Sequence, residues 1–190
     1  MLELGQELAE AKNIPPQLMS FTRSDVPDLQ SFANSSYDLV SFMDGAHHMP
    51  NLEKVKSVLM EAERIAKPSG MIILLDPVRQ KTAEVTESYM SIPNQDYFER
   101  GLHSFIRDFH DSLYASWTTD ELFKAIPDKT QRQWVQLIPF GFPAFQIIIG
   151  LPEGQQTLFP HAGLAKSRLN SLIPKGNESS WQMLKFTFQW

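Results

Sequence analysis

Residues 36–78 read SYDLVSFMDGAHHMPNLEKVKSVLMEAERIAKPSGMIILLDPV. A short apolar run, Tyr37 to Met43, leads into a polar turn, Asp44-Gly45-Ala46-His47-His48. Beyond it Leu52, Val55, Leu59, Ala62, Ile65 and Ala66 recur at three- and four-residue steps, with Glu53, Lys54, Lys56, Glu61 and Glu63 between them. That spacing predicts an amphipathic helix. Asn51 suits its N-cap, and Lys67-Pro68-Ser69-Gly70 its end. A second apolar run, Met71 to Leu75, closes on Asp76-Pro77. Strand, crossover helix and strand form the unit that builds parallel sheets. Neither run alternates strictly, so both strands are expected to be covered on both faces.

Working outward, 190 residues suit one domain with a sizeable core. Apolar content of 42% and charged content of 21% are those of an ordinary globular chain. The net charge is −5, and Lys and Arg never run beyond two adjacent residues, so no nucleic-acid partner is expected. Cysteine is absent, which excludes disulfides and thiolate metal sites and fits a reducing compartment. No apolar run approaches the 18 or so residues of a membrane span, and Met1-Leu2-Glu3 does not open a signal peptide. The expected location is the cytoplasm. Gly-x-Ser-x-Gly, Walker and His-Glu-x-x-His motifs are missing, which argues against hydrolase, NTPase and zinc-peptidase chemistry.

Before the opening unit, residues 1–12 predict a helix with Leu4, Leu8 and Ala11 on one face, ended by Pro15-Pro16. Leu18 to Thr22 predicts a short strand, with Asp25 near its C-terminal tip. Leu29 and Phe32 are expected to pack inward from a loop. After it, residues 80–126 are mostly helical and broken at Ser91 to Asn94, and Thr118-x-x-Glu121 is a capping box. Phe98, Leu102, Phe105 and Phe109 make one helical stripe, read chiefly as core. Trp134 to Pro139 and Ala144 to Leu151 predict two more strands. After Pro152 the composition turns loop-like, until Leu184 to Trp190 alternates as a half-buried edge strand would. The pattern is α/β. A domain over residues 1–152, with a helical insert at about 80–117, is followed by an extension over 153–190.

At Asp25, Tyr37-Asp38-Leu39-Val40, His47-His48, Arg64-Ile65-Ala66-Lys67-Pro68-Ser69-Gly70 and Asp76 the chain resembles class I S-adenosylmethionine-dependent methyltransferases of the small-molecule group. Those enzymes show a strand ending in an acid, an aromatic-Asp-Leu-Val strand, a His-containing turn, an Arg-x-x-Lys-Pro-Gly-Gly helix end and a strand closing on Asp, in this order. Ser69 replaces the first Gly of that helix end. The resemblance covers roughly residues 1–151. It implies a Rossmann-like methyltransferase sheet with an antiparallel strand pair near the C-terminal end, Trp134 to Leu151. The same patterns occur in other doubly wound domains. The family's Gly-rich cofactor loop and the following acidic strand have no counterpart in these residues, so the expected sheet is N-terminally truncated. Its uncovered strand edges are expected to drive self-association, a homodimer included.

The resemblance assigns cofactor contacts to Asp25 and Val26, at the adenine, and to Met43, Asp44 and Gly45, near the sulfonium. Asp25 also fits a turn residue before Pro27. Asp44, His47 and His48 are the catalytic candidates. Asp44 would hold an amine, act as a base or fill a turn, and a histidine titrates in the range a general base needs or sits structurally at the helix approach. The adjacent histidines lack the i, i+4 spacing of a helical metal site, so no metal is expected. Asp76 faces the crevice or caps the chain's exit, and is not among the catalytic candidates. His103, Arg107, His110 and Tyr114 of the insert are the candidate substrate contacts, and the aromatics around them suit an apolar or aromatic acceptor. The implied function is S-adenosylmethionine-dependent methyl transfer to a small molecule. The alternative is a non-catalytic interaction module of the same fold.

Overall fold

Asn51 caps its helix: the side chain accepts a hydrogen bond from the Lys54 amide at 3.0 Å. The computed structural model describes residues 2–24, 27–91, 94–139 and 144–155. After a first helix, α1 (Leu2–Ala11), come β1 (Tyr37–Met43), a 3-10 turn (Ala46–His48), α2 (Leu52–Ile65) and β2 (Ala66–Pro77). Four short helices follow: α3 (Ala83–Ser91), α4 (Asn94–Glu99), α5 (His103–Ala115) and α6 (Thr119–Phe123). Then come β3 (Trp134–Leu137) and β4 (Phe145–Gly150). The Thr118–Glu121 capping box opens α6 with both reciprocal bonds formed.

The four strands form one open sheet in the order β1-β2-β4-β3. β1 and β2 run parallel, in register from Leu39–Met71 to Met43–Leu75. β2 and β4 are antiparallel from Ile72–Gly150 to Pro77–Phe145, and β4 pairs antiparallel with β3. This is the reversed pairing expected of Trp134 to Leu151. The register shifts between Tyr37 and Leu39, where the Lys67-Pro68-Ser69-Gly70 stretch passes the start of β1. A Cβ on Gly70 would lie 2.7 Å from the Tyr37 carbonyl oxygen, so only glycine fits that approach.

Alternate residues of β2 face opposite ways. Ile72 and Leu74 are fully buried under α2 and α6, among Val55, Leu59, Ala62, Leu122, Ala125 and Ile148. Met71, Ile73 and Leu75, on the other face, are only half-buried. The expectation of strands covered on both faces therefore fails on one side. β1 fares worse: among the described residues no strand pairs with its outer edge, and Leu39 and Met43 are 55% and 51% exposed.

Three further expectations are corrected. Leu18 to Thr22 forms no strand, and Leu18 is 78% exposed. A strand is stabilised by its neighbours, and no described strand lies beside this segment. In α1, Leu4 and Leu8 face solvent and only Ala9 is buried, because the helix meets little of the sheet. The stripe Phe98, Leu102, Phe105 and Phe109 is not core: the first three are exposed. The chain breaks between α4 and α5 at Gly101, which has φ +74°, so the four residues never share a continuous helix face. The core role passes to Leu113, which packs with Met90 and Ala144. The expected strand Leu184–Trp190 lies outside the described residues. Among the described residues no helix is long and apolar enough to cross a membrane.

α3 and α5 are clasped at the surface. Glu87 Oε1 accepts from Tyr114 Oη at 3.0 Å and lies 3.1 Å from His110 Nε2, while His110 Nδ1 lies 3.2 Å from Asp111. The Asp111 and Glu87 carboxylates hold the His110 pKa above its ordinary 6.5, and His110 with Tyr114 holds Glu87 below its ordinary 4.5. The His110 contribution is complete below pH about 6.5 and is lost as pH rises through the raised value, whereas the Glu87 contribution is lost as pH falls through its lowered value. Amide exchange in α3 should therefore quicken as pH rises through the His110 titration, beyond the intrinsic base-catalysed increase. Glu87→Gln should flatten that excess; an excess unchanged by the substitution would refute the clasp.

Candidate active site

Parallel strands place their C-terminal tips side by side. The tips of β1 and β2 therefore bring Met43-Asp44 and Asp76-Pro77 together. The Asp44 amide donates to the Leu75 carbonyl at 2.9 Å. Asp44 then takes φ +48°, a left-handed conformation tolerated by Asp, and reverses the chain into the 3-10 turn. A Cβ on Gly45 would lie 2.4 Å from the Phe42 ring, so glycine lets the turn close over the strand end. The Trp117 indole N–H donates to the Ala46 carbonyl at 2.8 Å and ties the turn to the segment after α5.

The centre of the site is a buried pair. Asp76 is 0% exposed. Its Oδ1 accepts from the Ala46 amide at 3.0 Å and lies 3.0 Å from His47 Nδ1. Among the described residues Oδ2 has no partner. Burial pushes the Asp76 carboxyl above its ordinary 3.8, His47 and the Ala46 amide act in the opposite sense, and Asp44 adds a smaller upward push. Below pH about 3.8 this group stabilises the fold, and the contribution is lost as pH rises through the folded value. At neutral pH the buried carboxylate is thus a cost to folding. The His47 ring lies against His48, centroids 4.1 Å apart.

Asp44, His47, His48 and Pro77 form one side of a pocket of about 270 Å³. Phe145 at the start of β4 and one face of α5 form the other: Phe105, Asp108, Phe109 and Ser112, spaced i, i+3, i+4, i+7. The structure thus brings the three catalytic candidates to one pocket. His103, Arg107, His110 and Tyr114 lie elsewhere on α5. His103 packs edge-on against Phe98 at 4.2 Å, and His110 and Tyr114 turn to Glu87. Met43 and Asp44 are exposed on the open flank of β1, whereas Asp25 and Val26 lie outside the described residues. Sequence reasoning did not single out Asp108, Ser112 or Phe145, and set Asp76 aside. For Asp76 the available signal was the β-α-β unit itself, which obliges both strand tips to meet.

Residues 1–74 match a family described as "Methyltransferase domain". A demethylmenaquinone methyltransferase of Staphylococcus epidermidis is 28% identical over 152 residues, 80% of this chain and 51% of that protein. The chain thus spans about half the length of the curated relatives it matches. Among solved structures, the PH0226 protein from Pyrococcus horikoshii OT3 aligns with a TM-score of 0.53 at 17% identity, covering 80% of this chain and 66% of that one. An O-methyltransferase family protein from Burkholderia thailandensis aligns at 0.51 and 14%, covering 80% and 41%. The chain is thus similar over residues 1–74 to the methyltransferase-domain family, and it shares its fold with these solved structures.

Proposed function

We propose that the chain takes part in S-adenosylmethionine-dependent methyl transfer to a small-molecule acceptor seated at the tips of β1 and β2. The observation that carries this reading is the pocket that joins Asp44, His47 and His48 to the aromatic face of α5. The tip also fits the cofactor's charge. Exposed Asp44 and half-buried Gly45 present a carboxylate and an accessible backbone carbonyl, acceptors suited to a cationic, amine-bearing group. Met43, Asp44 and Gly45, with Asp25 and Val26, would hold the cofactor, which when bound supplies an electrophilic methyl group. The protein's part is to orient the acceptor, exclude water and accept a proton where the acceptor loses one. Phe105, Phe109 and Phe145 exclude water, and Asp44, His47 and His48 face the acceptor from one side with Asp108 and Ser112 of α5 across from them. His103, Arg107, His110 and Tyr114 form an outer set on α5 that a larger acceptor would reach.

This reading takes residues 1–152 as the functional domain, places the protein in the cytoplasm and gives it no nucleic-acid partner. Among the described residues the outer edge of β1 has no strand partner and Leu39 is exposed, which favours a second role, self-association or use as an interaction module. Calorimetric titration of the full chain with S-adenosylmethionine separates the two. Saturable heat is expected, weakened about tenfold in Asp44→Asn, which corresponds to about 1.4 kcal/mol. A folded chain that gives no heat at millimolar ligand would overturn the methyl-transfer reading and leave the interaction module.

A further inference from the structure

We infer that the outer edge of β1 is a docking site for a segment of this same chain, Leu184–Trp190, which adds to the sheet as a further strand beside β1. The inference is independent of the methyl-transfer reading, and it competes with the use of that edge by a second copy.

The first ground is the edge itself. The Asp44 amide donates to the Leu75 carbonyl of β2. Backbone groups alternate in direction along a strand, so Val40 and Phe42 also turn their N–H and C=O groups to β2, while Leu39, Ser41 and Met43 turn theirs away. Among the described residues no strand pairs with that outward row. The side chains of Tyr37, Leu39 and Met43, on the face away from α2, are exposed. An open row of backbone groups beside exposed apolar side chains is a template for another strand. β3 is the other edge of the sheet, and its four residues are all part-buried. The edge that lacks cover is that of β1.

The second ground is the pattern of the segment. Leu184, Phe186, Phe188 and Trp190 alternate with Lys185, Thr187 and Gln189. Phe, Thr and Trp suit a pleated, half-buried surface. Laid beside β1, the apolar row covers Leu39 and Met43 and continues the half-buried row of Met71, Ile73 and Leu75 on β2. The polar row then falls on the side of Asp38, whose exposed carboxylate lies 2.8 Å from Lys67 Nζ, and Lys185 brings a second cation to it.

The third ground is where the chain leaves the described sheet. The Glu153 amide donates to the Pro68 carbonyl at 2.9 Å. Ser35, Pro68 and Glu153 line one small cavity, next to the first residue of β1. An extended chain advances about 3.3 Å per residue, so residues 156–183 reach either end of β1 from there.

The fourth ground is charge. Residues 156–190 hold Lys166, Arg168, Lys175 and Lys185 against one acid, Glu178. The whole chain carries −5, so residues 1–155 carry −8 and residues 156–190 carry +3. A second copy docking by its own sheet edge sets one acidic body against another, at an edge bordered by Asp38 and Asp44. The chain's own segment brings the opposite sign.

The test uses the full chain without cofactor. The chain has no cysteine, so Thr187→Cys carries a single nitroxide at the middle of the segment. In nitrogen–proton correlation spectra the nitroxide should broaden the amide signals of Leu39, Ser41 and Met43 far more than those of Val135 and Gln136 on β3. A mixture of nitroxide-bearing chain without isotope and isotope-labelled chain without nitroxide should show no broadening. Phe186→Asp combined with Phe188→Asp should abolish the broadening within one chain. Without the nitroxide, the same pair of substitutions should quicken exchange of the Leu39, Ser41 and Met43 amides about tenfold, which corresponds to about 1.4 kcal/mol, and leave the inward Val40 and Phe42 amides unchanged. No broadening on β1, or broadening centred on β3, would overturn the inference. Broadening of β1 in the mixture would overturn it in favour of a second copy as the occupant. The nitroxide spectra of the chain with both phenylalanines in place decide the matter even if the aspartate variant fails to fold. Calorimetric heat with S-adenosylmethionine and no broadening on β1 would sink this inference and leave the methyl-transfer reading standing.

Discussion

Replacing Arg132 by methionine should lower the unfolding free energy by about 2–4 kcal/mol, the cost of leaving buried acceptors without a donor. The guanidinium is buried, with the residue 8% exposed. Nη1 donates to the Gly70 carbonyl at 2.6 Å and to the Leu151 carbonyl at 3.3 Å, and Nη2 donates to the Lys67 carbonyl at 2.6 Å. One side chain thus holds the first residues of β2 to the residue that follows β4. Methionine has comparable length and no donor, so all three carbonyls lose their partner while the packed volume is roughly kept. Part of the loss is offset because the charged group no longer has to be desolvated. Lysine should recover only a fraction, since an ammonium lacks the planar fork that reaches several carbonyls at once. Urea melts of the three proteins measure this directly. A methionine variant within about 0.5 kcal/mol of wild type, the range of a neutral surface change, would show that Arg132 merely fills space.

Leu59→Ala should cost more, about 3–5 kcal/mol. Leu59 is 0% exposed and lies in the cluster formed by Val55, Leu74, Leu122 and Ile148. Truncation removes apolar contacts with α2, β2, α6 and β4 together, and elements tied into one sheet cannot collapse into the space. The adjacent residue on the same helix is the control. Met60 is 55% exposed, and Met60→Ala should change stability by no more than about 0.5 kcal/mol. Similar losses in both variants would mean that α2 does not pack as described.

Much of this architecture is legible in residues 36–78. The periodicity of Leu52 to Ile65, the Asn51 cap and the two apolar runs specify a parallel pair with its crossover, and local chemistry sets their limits. The Thr118–Glu121 box is equally local. What the sequence does not disclose depends on neighbours. Leu18 to Thr22 has strand-like composition, yet strand formation needs a partner that no described residue supplies. Phe98 and Phe105 have helical spacing, but Gly101 interrupts the stripe, and exposure is decided by what packs above it. The site is legible in part. Asp44, His47 and His48 announce themselves as polar groups at a strand tip. Asp76 does not, because its role appears only when the β1–β2 register brings it to a histidine 29 positions earlier in the chain. Asp108 and Ser112 are hidden for a similar reason: α5 is amphipathic on more than one line, and only the sheet decides which line faces the pocket.

The pairing of β2 has a consequence for the order in which the molecule assembles. β2 meets β1 across a single helix, but meets β4 only after the whole helical segment has been traversed. Contacts close in sequence form at lower entropic cost, so the β1-α2-β2 unit is expected to precede the β2–β4 ladder. His47 and Asp76 both belong to the early unit, whereas Phe105, Phe109 and Phe145 arrive with the late one. The polar half of the pocket is therefore built into the more persistent part of the molecule, and its aromatic wall into a part that can loosen by itself. Partial opening would admit a bulky ligand past α5 while the carboxylate–imidazole pair stays assembled, so a way into the pocket need not disturb its polar half.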